Sequence, residues 1–109
     1  MSAVGDNDEI FGGRSAKAVG DRLRLTREVL GFNQKEFATR ASIAANTYNM
    51  IEKGKNYPSM TALWSICDTY QLDPNWVLAG DHGSLKYDLA HSLYQAAKLR
   101  PRYQEMRNQ

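Results

Sequence analysis

Residues 33 to 54, NQKEFATRASIAANTYNMIEKG, constrain this chain more than any other stretch. The segment reads as two short helices joined by a tight turn. Asn33 stands as a cap with Glu36 three residues on. In that reciprocal arrangement each side chain satisfies the other residue's backbone amide. Phe32 and Phe37 flank the cap at the spacing of a hydrophobic staple. The first helix ends near Ala41. The second runs from about Ala45 to Lys53, with Tyr48 and Ile51 inward and Gly54 as a stop. Its outer face is small and polar.

The flanking sequence supplies the elements such a pair must pack against. Ser15 can cap a helix through Leu30, in which Val19, Leu23, Thr26 and Leu30 recur at helical spacing and Gly31 closes the end. After Pro58, Ser59 can cap a further helix through Tyr70, with Leu63, Ile66, Cys67 and Tyr70 inward. Asp73-Pro74 opens a short helix that carries Trp76, Val77 and Leu78 and stops at Gly80. A sixth helix is expected from Ser84 to about Leu99, with Pro101 interrupting it. Leu85, Leu89, Leu93 and Ala96 or Ala97 line one stripe of that helix. No period-2 strand of useful length, internal repeat or low-complexity segment is present. The fold class is therefore all-α: a five-helix domain plus a C-terminal helix. The expected divisions are a disordered acidic arm over 1–14, the domain over 15–81, and a helix and tail over 82–109.

Charge is distributed unevenly. Asp6, Asp8 and Glu9 make residues 1–13 acidic, whereas residues 14–57 hold nine Lys/Arg against Asp21, Glu28, Glu36 and Glu52. The positive excess thus falls on the segment with the paired helices, the footprint expected of a phosphate-facing surface. No apolar run approaches the roughly 20 residues that span a bilayer. The first residues lack the basic and apolar regions of a secretory signal. The single cysteine, Cys67, sits in an apolar helical pattern and reads as a reduced core thiol. A soluble cytoplasmic protein without membrane partner is expected.

A short helix, a brief turn and a second helix with a small polar face is the sequence form of a helix-turn-helix. The order of signals resembles the lambdoid phage repressor type of that domain, the XRE or Cro/C1 family. Over half the chain carries the resemblance, from Val19 to about Asp81. The matching residues are Val19-Gly20-Asp21-Arg22-Leu23-Arg24 and Arg27, Asn33-Gln34-Lys35-Glu36-Phe37-Ala38 and Ala41, Ile51-Glu52-Lys53-Gly54-Lys55, Pro58-Ser59, and Asp73 through Gly80. It implies a lambda-repressor-like domain that places its second motif helix in the major groove of double-stranded DNA.

The resemblance also implies roles. Gln34 matches a glutamine that meets a phosphate at a helix start. Asn33, Thr47, Lys53, Lys55 and Asn56 match other phosphate-side positions. Arg27 and Glu52 match an ion pair that joins the first helix to the end of the third. Ala44, Ala45, Asn46, Asn49 and Met50 match base-facing positions. Here the chain departs from the family, which commonly has Ser or Thr at the position of Ala44 and long polar residues at those of Ala45 and Met50. Ala44 cannot cap a helix. Ala45 suits a thymine methyl group, while Asn46 and Asn49 suit adenine N6/N7. An A·T-leaning half-site, read largely through DNA shape, is expected.

The leading expectation is a transcriptional regulator, a repressor, that binds a palindromic operator as a homodimer. Leu85, Leu89, Leu93 and Ala96 form the candidate dimer interface. The alternative is an antitoxin-like or other interaction adaptor whose residues 82–109 hold a protein partner. Enzyme activity is not expected. His82 and His91 lie nine residues apart, on opposite helix faces, and no Cys/His cluster has metal-ligand spacing. No metal or cofactor is called for.

Overall fold

The computed structural model describes residues 10–83 and 85–108, and the side chains of these residues up to Leu99. Among the described residues, six helices run over their full length: α1 (Ala16–Leu30), α2 (Gln34–Arg40), α3 (Ala45–Glu52), α4 (Met60–Tyr70), α5 (Pro74–Ala79) and α6 (Tyr87–Asn108). The expected start and stop residues account for most of their ends. Ser15 and Ser59 accept amide hydrogen bonds from Ala18 and Ala62. Asp73 accepts from the Asn75 amide ahead of Pro74. Gly31 and Gly80 close α1 and α5 in the left-handed conformation, which costs glycine no steric clash.

α1 is the hub and touches α3, α5 and α6. Burial therefore runs nearly all round it: Ala18, Val19, Gly20, Arg22, Leu23, Leu25 and Thr26 are all inside. Gly20 marks the crossing with α3. A Cβ placed there would lie 2.4 Å from the Ile51 carbonyl oxygen, so only glycine lets the two backbones meet this closely. The remaining core gathers Phe37, Tyr48, Ile51, Leu63, Ile66, Trp76 and Val77. The Phe37 and Tyr70 rings stack at 4.1 Å, and Tyr70 donates to the Phe37 carbonyl.

Three expectations need correction. Residues 1–9 lie outside the described residues, but residues 10–14 are ordered against the body rather than a loose arm. Ile10 is in the core, and Phe11 packs beside Trp76, His82 and Tyr94. The reason is Arg22. This fully buried guanidinium donates to the carbonyls of Ile10, Gly13 and Val77, and a buried charge must be hydrogen-bonded.

The sixth helix also differs. The Leu85 amide closes a turn on the His82 carbonyl, and α6 starts at Tyr87, not Ser84. It then continues past Pro101 to Asn108. Proline removes one helical N–H and crowds one turn; the bonds on either side hold the helix on.

Third, the leucine stripe packs within its own chain. Leu85 and Leu93 are buried in the chain's own core, and Leu89, Ala96 and Ala97 pack against it. The α1 surface they cover would otherwise be exposed apolar area, and burial within one chain needs no association.

Cys67 is buried, and burial, followed by the nearby Asp73 and Asp68 charges, pushes its thiol up to about 11. The thiolate is the reactive form. In native buffer at pH 8, Cys67 should therefore resist an aromatic disulfide reagent and react only after denaturation. Stoichiometric labelling of the folded protein would contradict this.

Candidate nucleic-acid interface

α2 and α3 are set by contacts on either side of the turn. At the start of α2 the reciprocal cap forms as expected: Asn33 Oδ1 accepts from the Glu36 amide at 2.8 Å, and Glu36 Oε1 accepts from the Asn33 amide at 3.0 Å. Phe32 and Phe37 meet across it, with ring centroids 6.4 Å apart. The turn bends at Ser42, whose φ of 59° is left-handed. Amides of Ser42 and Ile43 return to the carbonyls of Thr39 and Ala38. Nothing in residue type announced that bend, because serine is not the residue that reaches this conformation most easily.

α3 then presents two faces. Tyr48, Ile51 and Glu52 point inward. Ala44, Ala45, Asn46 and Thr47 are exposed, and Asn49 and Met50 are half-buried. All five residues matched to base-facing positions thus lie outside the core, together with Thr47. Just past the helix, Lys53, Lys55 and Asn56 are exposed as well. Ala44 is the N-cap residue of α3 and makes no side-chain cap bond. The orphan amide is a local weakness. Ala44→Ser should therefore raise unfolding stability by about 1 kcal/mol, measured by urea denaturation. An unchanged midpoint would mean that the turn geometry keeps the serine from reaching the amide.

Behind α3 sits a polar cluster that joins three helices. Arg27 Nε and Nη2 reach Glu52 Oε2 and Oε1 at 2.6 and 3.2 Å, and its Nη1 donates to the Phe32 carbonyl. The side chains are 12% and 3% exposed, so the expected pair is a buried one. Burial alone would raise the Glu52 carboxyl. Hydrogen bonds from its neighbours, Arg27 foremost, outweigh that and hold it below its ordinary value of 4.5. The same bond to Glu52 raises Arg27. The Tyr48 hydroxyl is buried here without a hydrogen-bond partner of adequate geometry among the described residues. Burial, and then the Glu52 charge, push its pKa far up and keep it a neutral phenol.

Gln34 enters this cluster too. Its Nε2 donates to Glu52 Oε1 at 2.9 Å. One of its two amide hydrogens is thus committed inward, and the other remains to meet an acceptor outside. Asn33 uses its oxygen in the cap, which leaves its NH₂ group to donate. Sequence reading placed both residues at the surface but did not find the Gln34–Glu52 bond, since a bond between residues 18 apart has no local signal.

The charge count also changes once the chain is folded. Arg22 is buried and Arg27 is paired inside. The outward cations of this segment are Arg14, Lys17, Arg24, Lys35, Arg40, Lys53 and Lys55. Of these, Arg40 lies over the Phe32 ring at 4.9 Å, while Arg24 pairs with Glu28 at 3.2 Å. Among the described residues no group of three or more His, Cys, Asp or Glu could hold a metal ion. No described helix is long and apolar enough to cross a membrane.

A family model described as a helix-turn-helix domain matches residues 20–82, more than half of the chain. No curated protein and no solved structure matches. The matched segment contains α2, the turn and α3 with the small polar face of α3 outward, and the chain belongs to the helix-turn-helix domain family of DNA-binding proteins, of the XRE or Cro/C1 type.

Proposed function

We propose that this protein is a sequence-specific transcriptional repressor that binds a palindromic operator as a dimer, with α3 in the major groove. The observation that carries the reading is the outward face of α3, where Ala45, Asn46, Asn49 and Met50 stand free of the core beside exposed Lys53 and Lys55. Asn46 and Asn49 would read adenine edges, and Ala45 a thymine methyl group. Asn33, Gln34, Thr47, Lys53, Lys55 and Asn56 would hold the phosphates on either side. Repression would follow from occlusion of a promoter by the bound dimer.

The stripe of Leu85, Leu89, Leu93 and Ala96 is used inside the monomer. The dimer contact therefore falls to the outward side of α6, where Tyr87 is 78% and Leu99 57% exposed. Two α3 helices would then enter successive major grooves about 34 Å apart.

The test is selection from a random duplex pool at about 150 mM salt, where purely electrostatic binding is weak. Enrichment of an A·T-leaning palindrome with half-sites one turn apart supports the reading. Enrichment of a single, unrepeated site removes the dimer. No enriched motif removes sequence-specific regulation altogether.

A second reading has one observation in its favour. His82, Leu85, Tyr87, Ala90, His91 and Tyr94 line a groove of about 560 Å³ beside α6. Under this reading the C-terminal helix holds a protein partner there, as in an antitoxin-like adaptor. Co-purification of a small partner that a Tyr87→Glu change releases would favour it over the first.

A further inference from the structure

We propose that Arg14 and Lys17, at the start of α1, bind the DNA backbone as a continuation of the phosphate surface formed by Lys53, Lys55 and Asn56. The inference rests on the DNA-binding reading above and extends it to two residues that precede residue 20, where the family match begins.

The placement is set by two tertiary contacts. Gly54, left-handed at φ 79°, lies against α1. A Cβ on it would come 2.8 Å from Lys17 Cα and 3.2 Å from Lys17 Cβ. Three residues on, the Tyr57 hydroxyl donates to the Arg14 carbonyl at 2.8 Å. The 53–57 loop is therefore held at Gly54 to the first turn of α1 and at Tyr57 to the residue before its cap, and the two segments form one surface. Arg14, Lys17, Lys53 and Lys55 are all exposed on it. Lys17 meets Asp21 at 3.2 Å, an exposed pair whose lysine remains 66% accessible. Such a pair is worth little in water, and a phosphate can compete for the lysine.

Geometry gives this patch a direction. The loop leaves the C-terminal end of α3, so with α3 in the groove it lies along the backbone that borders the groove. Residues tied to its flank lie further along the same backbone. A side chain there has no base edge to reach. Its contribution is to affinity and salt dependence, with no change in sequence preference.

The test uses the full chain and a short duplex of random sequence, with affinity measured between about 50 and 200 mM salt. Each phosphate neutralised contributes about 0.9 to the slope of log K against log salt. The double change Arg14→Gln, Lys17→Gln should flatten the slope by about 1.8. The motif returned by pool selection should stay the same. Both side chains are exposed, and unchanged circular dichroism would show that the fold survives. A control with the same charge loss elsewhere, Lys86→Gln just before α6 with Lys98→Gln on it, should leave the slope alone.

An unchanged slope in the Arg14/Lys17 variant overturns the inference while leaving DNA binding in place. So does an equal drop in the control, which would mean that net charge alone is at work. Absence of binding by the unaltered protein overturns the DNA-binding reading itself, and this inference with it.

Discussion

Replacing Glu52 with glutamine should lower unfolding stability by about 3–5 kcal/mol, the usual effect of removing one partner from a buried ion pair. The pair is buried on both sides, and the glutamine would leave the Arg27 guanidinium without a counter-charge in a nearly dry site. Replacing both residues with apolar ones should cost much less, because no charge is then left stranded. For a domain of this size each kcal/mol corresponds to roughly 4–8 °C in Tm, so thermal denaturation separates the outcomes easily. A loss below about 1 kcal/mol would place the pair with exposed salt bridges, contrary to its burial.

The pH dependence has a definite sign. Glu52 titrates lower in the folded protein than its ordinary 4.5. Its stabilisation is therefore complete above the unfolded value and is lost as pH falls through the lower, folded one. Acidification from pH 6 to below about 4 should destabilise the unaltered protein more steeply than Glu52→Gln, which has no carboxylate there to protonate. Parallel acid limbs for the two proteins would contradict the assignment. The same substitution bears on function, because Glu52 also holds Gln34. Under the proposed DNA-binding role, affinity should fall even at temperatures where the variant is fully folded.

Deleting residues 1–13 should have an effect of similar size. The deletion removes the Ile10 and Gly13 carbonyls that accept from Arg22, and the guanidinium is fully buried. Loss of a partner to a buried charged donor costs upward of about 1–3 kcal/mol. Ile10 leaves the core as well, and Phe11 leaves its place between Trp76, His82 and Tyr94. With the core contacts of Ile10 added to the lost acceptors, a total loss of about 3–5 kcal/mol is expected.

Arg22→Met supplies the check, since methionine needs no acceptors. The deletion should cost distinctly less in the Arg22→Met background than in the unaltered one. Equal costs would mean that the segment contributes through apolar contact alone. The arm also packs against the closing turn of α5: a Cβ on Gly80 would lie 2.4 Å from the Gly12 nitrogen. Arm, α5 and α6 are thus packed together, and the deletion should loosen α6, visible as faster amide exchange along that helix.

Much of this was legible in the chain before folding. The caps at Ser15, Asn33, Ser59 and Asp73, the stops at Gly31, Gly54 and Gly80, and the inward positions of α3 and α4 follow from local rules. A cap joins residues two or three apart, and an apolar stripe repeats within one helix. The exposed face of α3 was legible for the same reason. Once Tyr48 and Ile51 turn inward, Ala45, Asn46 and Asn49 have nowhere to face but out.

Tertiary structure alone decided the rest. Nothing local marks Arg22 as buried, because its acceptors lie at Ile10, Gly13 and Val77, up to 55 residues away. The same holds for Gln34 on Glu52 and for Tyr57 on the Arg14 carbonyl. The leucine stripe of α6 shows where the two levels divide. Its period by itself specified an apolar face that had to be covered. Whether a second chain or α1 covered it depended on where the segment after Gly80 turned, and the fold placed it on α1. Periodicity records that a surface avoids water; only the packed chain determines what lies against it.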